Sequence, residues 1–440
     1  MSKTYLLKNV SKLGQEQVDI LLQDGKITQL TTAGGIAIQN DWEIIDTPGL
    51  IALPGLVDLH THLREPGKED AETIESGSRA AAAGGFTAVF AMANTTPTQD
   101  TAGVVEQVLR RGQEAGWVDV QPIGAVTVGL AGQQLAELGA MADSAAKVRV
   151  FSDDGKCVHD PVLMRRALEY IKSFDGVIAQ HSQEPRLTEG SQMHEGDISA
   201  RIGLRGWPAV AEEAIIARDV LLAEHVGSRL HVCHLSTKGS VEIIRWAKQR
   251  GINVTAEVTP HHMFLSHDLA ADYNPKFKGN PPLRTQADIE AVQEGLADGT
   301  IDIYATDHAP HPVEDKDCEW VAAAFGMTGL ETALSVLQKT MIETKKMTWA
   351  DVARVLSQKP AEIGRIHTGD KPQGQPIEVG SDANITLINP NTTRIVKASE
   401  QNTASSNTPL EGYELPGSVQ ATFLRGKATV LNGQINRDTN

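Results

Sequence analysis

The chain has 440 residues, 40% of them hydrophobic, enough to bury a large α/β core beside a smaller companion. Lys and Arg number 40 against 56 Asp and Glu, and the net charge of −16 argues against nucleic acid or an anionic membrane as partner, since both reward clustered positive charge. Cys157, Cys233 and Cys318 show no CxxC spacing, which argues against a disulfide framework or a thiolate zinc site and leaves reduced, mostly buried thiols.

The apolar run in residues 1–8 is too short for a signal peptide, and no later segment approaches the ~20 uncharged apolar residues of a membrane span, so a cytoplasmic location is expected. Short strands are predicted at 4–8, 17–22, 26–31 and 42–46. Eight apolar runs bounded by Gly, Pro and Asp follow, at 51–60, 86–93, 119–126, 147–151, 176–180, 229–234, 253–258 and 301–306. Helical patterning fills intervening stretches such as 71–83, 161–173, 211–225, 239–250 and 285–298. This alternation predicts an α/β fold, a (β/α)8 TIM-type barrel over 51–375. Beyond the strands lie helical segments at 329–344 and 349–356 and a linker rich in Gly, Pro and Asp at 368–380. Strand-like runs recur at 382–388 and 419–425, separated by a Ser/Thr/Asn-rich piece, 399–409, read as an exposed loop. The ends, 1–50 and 376–440, are expected to combine into a small β-sandwich domain.

The chemistry gathers where strands end. In Asp58-Leu59-His60-Thr61-His62-Leu63-Arg64, alternation puts His60 and His62 on one face, able to share a metal ion, with Arg64 just beyond. Asn94, Asp153, Asp154, His181, His234, Asp307, His308 and His311 also follow strands, and the strand ends of a barrel converge on one face. Any one of these histidines alone is more often a hydrogen-bonded structural residue, and an aspartate in such a place is often a helix cap. Together, His60, His62, His181 and His234 with Asp154 and Asp307 suit two divalent ions such as zinc, the chemistry of amide hydrolysis. Asp307, ending the last strand, is best placed to shuttle a proton. His261, His262 and His308 are left outside the metal set, as residues that orient ligands. Residues 312–327 read as an exposed loop able to close over a substrate.

The runs His60-Thr61-His62-Leu63-Arg64-Glu65-Pro66-Gly67, Met92-Ala93-Asn94-Thr95, Phe151-Ser152-Asp153-Asp154-Gly155 and Val232-Cys233-His234-Leu235-Ser236-Thr237 resemble the amidohydrolase superfamily. With Thr259-Pro260-His261-His262, Gly279-Asn280-Pro281-Pro282-Leu283-Arg284 and Ala305-Thr306-Asp307-His308-Ala309-Pro310-His311, the chain resembles the long bacterial class I dihydroorotases nearly end to end. The resemblance implies reversible cyclisation of N-carbamoyl-L-aspartate to L-dihydroorotate in pyrimidine biosynthesis. It implies two zinc ions, one on His60, His62 and Asp307 and one on His181 and His234, bridged by an aspartate and a hydroxide. Spacing by analogy favours Asp154 over Asp153 as that bridge, and Lys147 and Lys156 read as surface residues. Arg64, Asn94 and His311, with His62 beside them, are then assigned to the substrate carboxylate, Asn280 to the ring, and the backbone of Phe325 and Gly326 to the pyrimidine edge. Glu65 replaces the aspartate that many relatives carry and does not discriminate. The rival readings are allantoinase, dihydropyrimidinase or hydantoinase, whose neutral rings give no reason for Arg64, and an inactive structural partner of aspartate transcarbamoylase, which should have lost metal ligands. A homodimer, association with the transcarbamoylase and the native metal stay open.

Overall fold

The computed structural model describes residues 3–436, so two residues of the first end segment and four of the last lie outside it. Strands Leu56–Thr61, Phe86–Ala91 and Asp119–Pro122 pair in parallel. So do Val150–Phe151, Val177–Gln180, Leu230–Val232, Val254–Val258 and Ile303–Tyr304. A parallel bridge from Gly124 to Phe151 joins the two runs, and one from Thr61 to His308 ties the last strand back to the first. At that seam the Asp58 carboxylate accepts from the Thr306 amide at 3.1 Å and hydroxyl at 2.6 Å, and the His62 amide donates to His308 O at 2.8 Å. Phe86–Ala91 is buried throughout, as a parallel strand covered on both faces must be.

Helices Ile74–Ala83, Pro161–Ile171, Lys238–Gln249 and Gln286–Asp298 lie between these strands. Each starts where a side chain accepts a free first-turn N–H: Thr73, Asp160 ahead of Pro161, Thr237 and Thr285.

The strand expected over 51–60 is two strands. Ile51–Pro54 pairs antiparallel with Ile385–Ile395 in a second sheet, and only Leu56–Thr61 joins the parallel array. The break falls at Gly55, where a Cβ would lie 2.3 Å from Thr87 Oγ1, so the chain crosses between sheets where only glycine fits. The second sheet is one continuous nine-stranded mixed sheet drawn from both chain ends, including Tyr5–Lys12, Glu16–Gln23, Glu414–Leu424 and Lys427–Leu431. Its halves share an apolar cluster in which the rings of Tyr5 and Phe423 meet edge-on at 5.2 Å. The helical stretch expected over 349–356 continues through Lys359–Ile363.

Two loops differ from expectation. In 399–409, Ser405, Asn407 and Thr408 are buried, and Thr403 and Ala404 both bond the buried Glu72 carboxylate. Its polar side chains meet polar groups of the protein, which composition alone reads as solvent exposure. In 312–327, Lys316, Trp320, Ala323 and Gly326 are buried although Val313 and Val321 face solvent, so this segment is anchored rather than freely exposed. Among the described residues no helix is long and apolar enough to cross a membrane.

Candidate metal centre

Six side chains from five strand ends converge. His60 Nε2 lies 3.5 Å from Asp154 Oδ1 and 3.4 Å from Asp307 Oδ1. His62 Nε2 lies 3.3 Å from Asp154 Oδ2 and 3.1 Å from Asp307 Oδ1. His181 Nδ1 and His234 Nε2 are 2.8 Å apart and stand 3.2 and 3.3 Å from Asp154 Oδ1. Asp154 therefore touches all four imidazoles, and Asp307 touches the first two.

Three of the four rings are aimed from behind. His60 Nδ1 meets the Glu257 carboxylate, His62 Nδ1 meets Asn94 Oδ1 at 2.9 Å, and His181 Nε2 donates to Gln183 Oε1 at 2.8 Å. Such partners fix the tautomer and leave the opposite nitrogen as the one facing the cluster. Arg64, His234 and Asp307 have positive φ of 62°, 33° and 47°, backbone conformations costly for non-glycine residues and held by the surrounding contacts.

The cluster is electrically tight. Burial alone would raise the carboxyls of Asp154 and Asp307, but His60 and its neighbouring imidazoles bring both below the usual carboxylate range. Burial opposes charge on His60 and His181 as well, yet the carboxylates, Asp154 foremost, raise both. His60 Nε2 is fully buried with no hydrogen-bond partner, although two carboxylates lie just beyond bonding distance. A buried, unpartnered imidazole nitrogen among oxygen and nitrogen donors is what a divalent cation satisfies, and the groups His60/Asp154/His234 and His60/His62/Asp307 are each compact enough to hold one.

Next to the cluster Arg64 is buried, its Nε donating to Pro310 O at 3.0 Å and its Nη2 lying 3.4 Å from His311 Nε2. Burial lowers the guanidinium only to about 10, so it is a cation at neutral pH. His311, lowered to about 3 by burial and by Arg64, is neutral, and its Nε2–H donates to Phe325 O at 2.8 Å. Asn280 Nδ2 donates to Gln183 Oε1 at 3.3 Å while its buried Oδ1 is unpartnered. Glu65 turns away, bonding the Ile74 amide and Arg111 Nε. A wall carrying a fixed cation thus stands beside a nest of metal-compatible donors.

Residues 49–240 match the family described as dihydro-orotase-like. Over 435 residues, 99% of this chain and 100% of the relative, the sequence is 63% identical to the dihydroorotase of Streptomyces coelicolor. The chain belongs to the dihydroorotase family. The dihydroorotase of Mycobacterium tuberculosis is 53% identical over 98% of the chain and 99% of its own length. Among solved structures, the L-hydantoinase (dihydropyrimidinase) from Arthrobacter aurescens superposes with a TM-score of 0.86 at 25% identity, covering 99% of this chain and 98% of that one. The dihydropyrimidinase from Brevibacillus agri, at 22% identity, shows the same fold with a TM-score of 0.83, covering 99% and 96%.

Of the two aspartates that the dihydroorotase resemblance left side by side, Asp153 is occupied elsewhere: Oδ1 accepts from the Val126 and Thr127 amides at 2.8 and 3.0 Å, and the Thr127 hydroxyl holds Oδ2. Asp154 alone faces the imidazoles. Lys147 and Lys156 are exposed, as expected. His262 bonds Thr259 and Pro281 O, and His308 bonds Glu72, so neither points into the cluster. Sequence reasoning missed Glu257, Gln183 and Glu72. Glu257 carried a readable signal, a carboxylate inside the apolar run Val254-Thr255-Ala256-Glu257-Val258, where burial demands a partner. Gln183 and Glu72 carried none, since both sit in polar surroundings along the chain.

Proposed function

We propose that this chain is a zinc-dependent dihydroorotase that interconverts N-carbamoyl-L-aspartate and L-dihydroorotate in pyrimidine biosynthesis. The observation that carries this reading is Arg64, a buried guanidinium beside the metal-compatible cluster in a chain of charge −16. A ring bearing a carboxylate needs such a fork, whereas a neutral cyclic amide leaves a buried cation uncompensated. Parallel pairing in the eight-strand array and the Asp58 to Thr306 seam support a closed (β/α)8 barrel over 51–375, with 1–50 and 376–440 as its β companion.

In this reading His60, His62 and Asp307 would hold one zinc and His181 and His234 a second, with Asp154, whose carboxylate faces all four imidazoles, serving both. Zinc when bound supplies activation of water at neutral pH and polarisation of the amide carbonyl. Arg64, with His311 and Asn94 nearby, anchors the carboxylate, and Asn280 with the backbone of Phe325 and Gly326 reads the ring. In hydrolysis, Asp307 takes the proton from attacking water and returns it to the ring nitrogen as the amide C–N bond opens. The products are the carbamoyl NH2 and a carboxyl group that releases its remaining proton to solvent; ring closure takes that proton back and runs the same transfers in reverse with loss of water.

The test is metal content together with turnover of L-dihydroorotate, allantoin and dihydrouracil by one purified sample, with Asp307→Asn beside it. Metal-dependent turnover of L-dihydroorotate alone, reduced ~10³-fold or more in Asp307→Asn, is expected. Preference for allantoin or dihydrouracil would sink the argument from Arg64, and bound metal without turnover of any substrate would sink the enzymatic reading.

A further inference from the structure

Lys278 and Lys316 are buried, and neither has an ion-pair partner among the described residues. All their hydrogen bonds go to backbone carbonyls. Lys278 Nζ donates to Trp320, Val321 and Ala323 O at 2.7, 3.3 and 2.7 Å. Lys316 Nζ donates to Lys278, Ala324 and Gly326 O at 3.3, 2.8 and 3.0 Å. An ammonium has three N–H groups, and here each finds a carbonyl. The pair thus gathers five carbonyls of the 320–326 stretch around two charges, and Lys278 Nζ also sits 4.4 Å from the Phe325 ring centroid.

Burying two ammoniums without a carboxylate is costly, and burial lowers Lys278 to about 8 and Lys316 to about 7. A loop needing only stability could be packed with apolar side chains. What these contacts secure is the place of Phe325 and Gly326. Phe325 O accepts a hydrogen bond from the His311 Nε2–H, and Gly326, at φ 146°, packs where a Cβ would come within 2.7 Å of that nitrogen. Asn407 closes the arrangement by accepting from the His311 amide and donating to Ala309 and Gly326 O. A continuous path of contacts runs from the two ammoniums through residues 323–326 to His311 and Arg64.

We infer that Lys278 and Lys316 are positioning residues for substrate binding: by gathering the carbonyls of 320–326 they hold the Phe325–Gly326 backbone and His311 in register with Arg64. This rests on the dihydroorotase reading for the identity of the ring.

The experiment compares Lys278→Met, Lys316→Met, Lys278→Gln and Lys316→Gln in the full-length zinc-loaded protein. Methionine removes charge and donors; glutamine keeps two donors and removes the charge. The expected result is a KM for L-dihydroorotate raised ~10-fold or more in both Met variants and less in the Gln variants, with kcat within ~3-fold and zinc content unchanged. Hydrogen exchange of the 320–327 amides should accelerate in the Met variants. KM within ~2-fold of the parent, a loss confined to kcat, or failure of all four variants to fold would each overturn the proposal. If the parent itself does not turn over L-dihydroorotate, the functional reading has failed separately, and unchanged exchange across 320–327 would then dismiss the positioning role by itself.

Discussion

Glu257 stands directly behind His60, its carboxylate against Nδ1 while Nε2 of the same ring faces the metal-compatible cluster. Its other oxygen holds His231 Nε2 at 3.0 Å, and His231 Nδ1 lies 2.8 Å from Thr255 Oγ1, so the carboxylate is itself held within its strand neighbourhood. The ring orientation is therefore set by a carboxylate that meets His60 on the nitrogen turned away from the cluster, and the oxygen that meets His60 also accepts from the His234 amide at 3.2 Å. Glu257→Gln should lower zinc affinity by ~10-fold and Glu257→Leu by ~100-fold, measured by competition with a calibrated chelator. Unchanged affinity in Glu257→Leu would mean that packing alone orients His60.

Arg64 offers a second test, because its direct contacts are uncharged: His311 is a neutral imidazole at pH 7 and the other contact is the Pro310 carbonyl, while the Asp307, Asp154 and Glu72 carboxylates act on it from farther away. The guanidinium is thus free to answer a carboxylate. Arg64→Met should cut kcat/KM for L-dihydroorotate by ~10- to 150-fold, the cost of a lost charged hydrogen bond, with most of it in KM. Arg64→Lys should recover only part, since an ammonium lacks the planar fork. Equal KM in parent and Arg64→Met would remove the carboxylate from this wall.

How far all this could be read beforehand depended on what each residue answers to. His60, His62, His181, His234 and Asp307 end strands, so local period and chain order were enough to bring them together. The choice of Asp154 over Asp153 needed Thr127, which sits 26 residues away along the chain and takes Asp153 out of the cluster. The 399–409 loop misled because Thr403 and Asn407 look solvated until Glu72 and His311 are seen beside them. The 312–327 loop misled likewise: Lys316 stands between Asp315 and Asp317 along the chain, and only three-dimensional folding shows carbonyls closing over its ammonium.

Removing the metal should expose the charge balance of the centre as a pH dependence of stability. His60 and His181 are raised in the folded state, so the stability they add is full below the unfolded histidine value of ~6.5 and is lost as pH climbs through their folded values. Asp154 and Asp307 are lowered, so their contribution is present above the unfolded value of ~4 and is lost only as pH falls through their folded values. Asp58, raised to about 7 chiefly by burial, acts against the fold as it ionises: the native state holds its proton longer than the unfolded chain, and stability declines between ~4 and about 7. On the alkaline side the histidine terms alone keep falling, since the Asp58 decline ends near 7 and the Asp154 and Asp307 terms are constant there. The Tm of chelator-treated protein should therefore fall between pH 6 and 8.5, whereas zinc takes the place of the imidazole protons and its binding strengthens as they leave. The gap in Tm between zinc-loaded and metal-free protein should widen over the same interval in differential scanning fluorimetry, and a gap that narrows would show that protonated imidazoles do not hold the empty centre together.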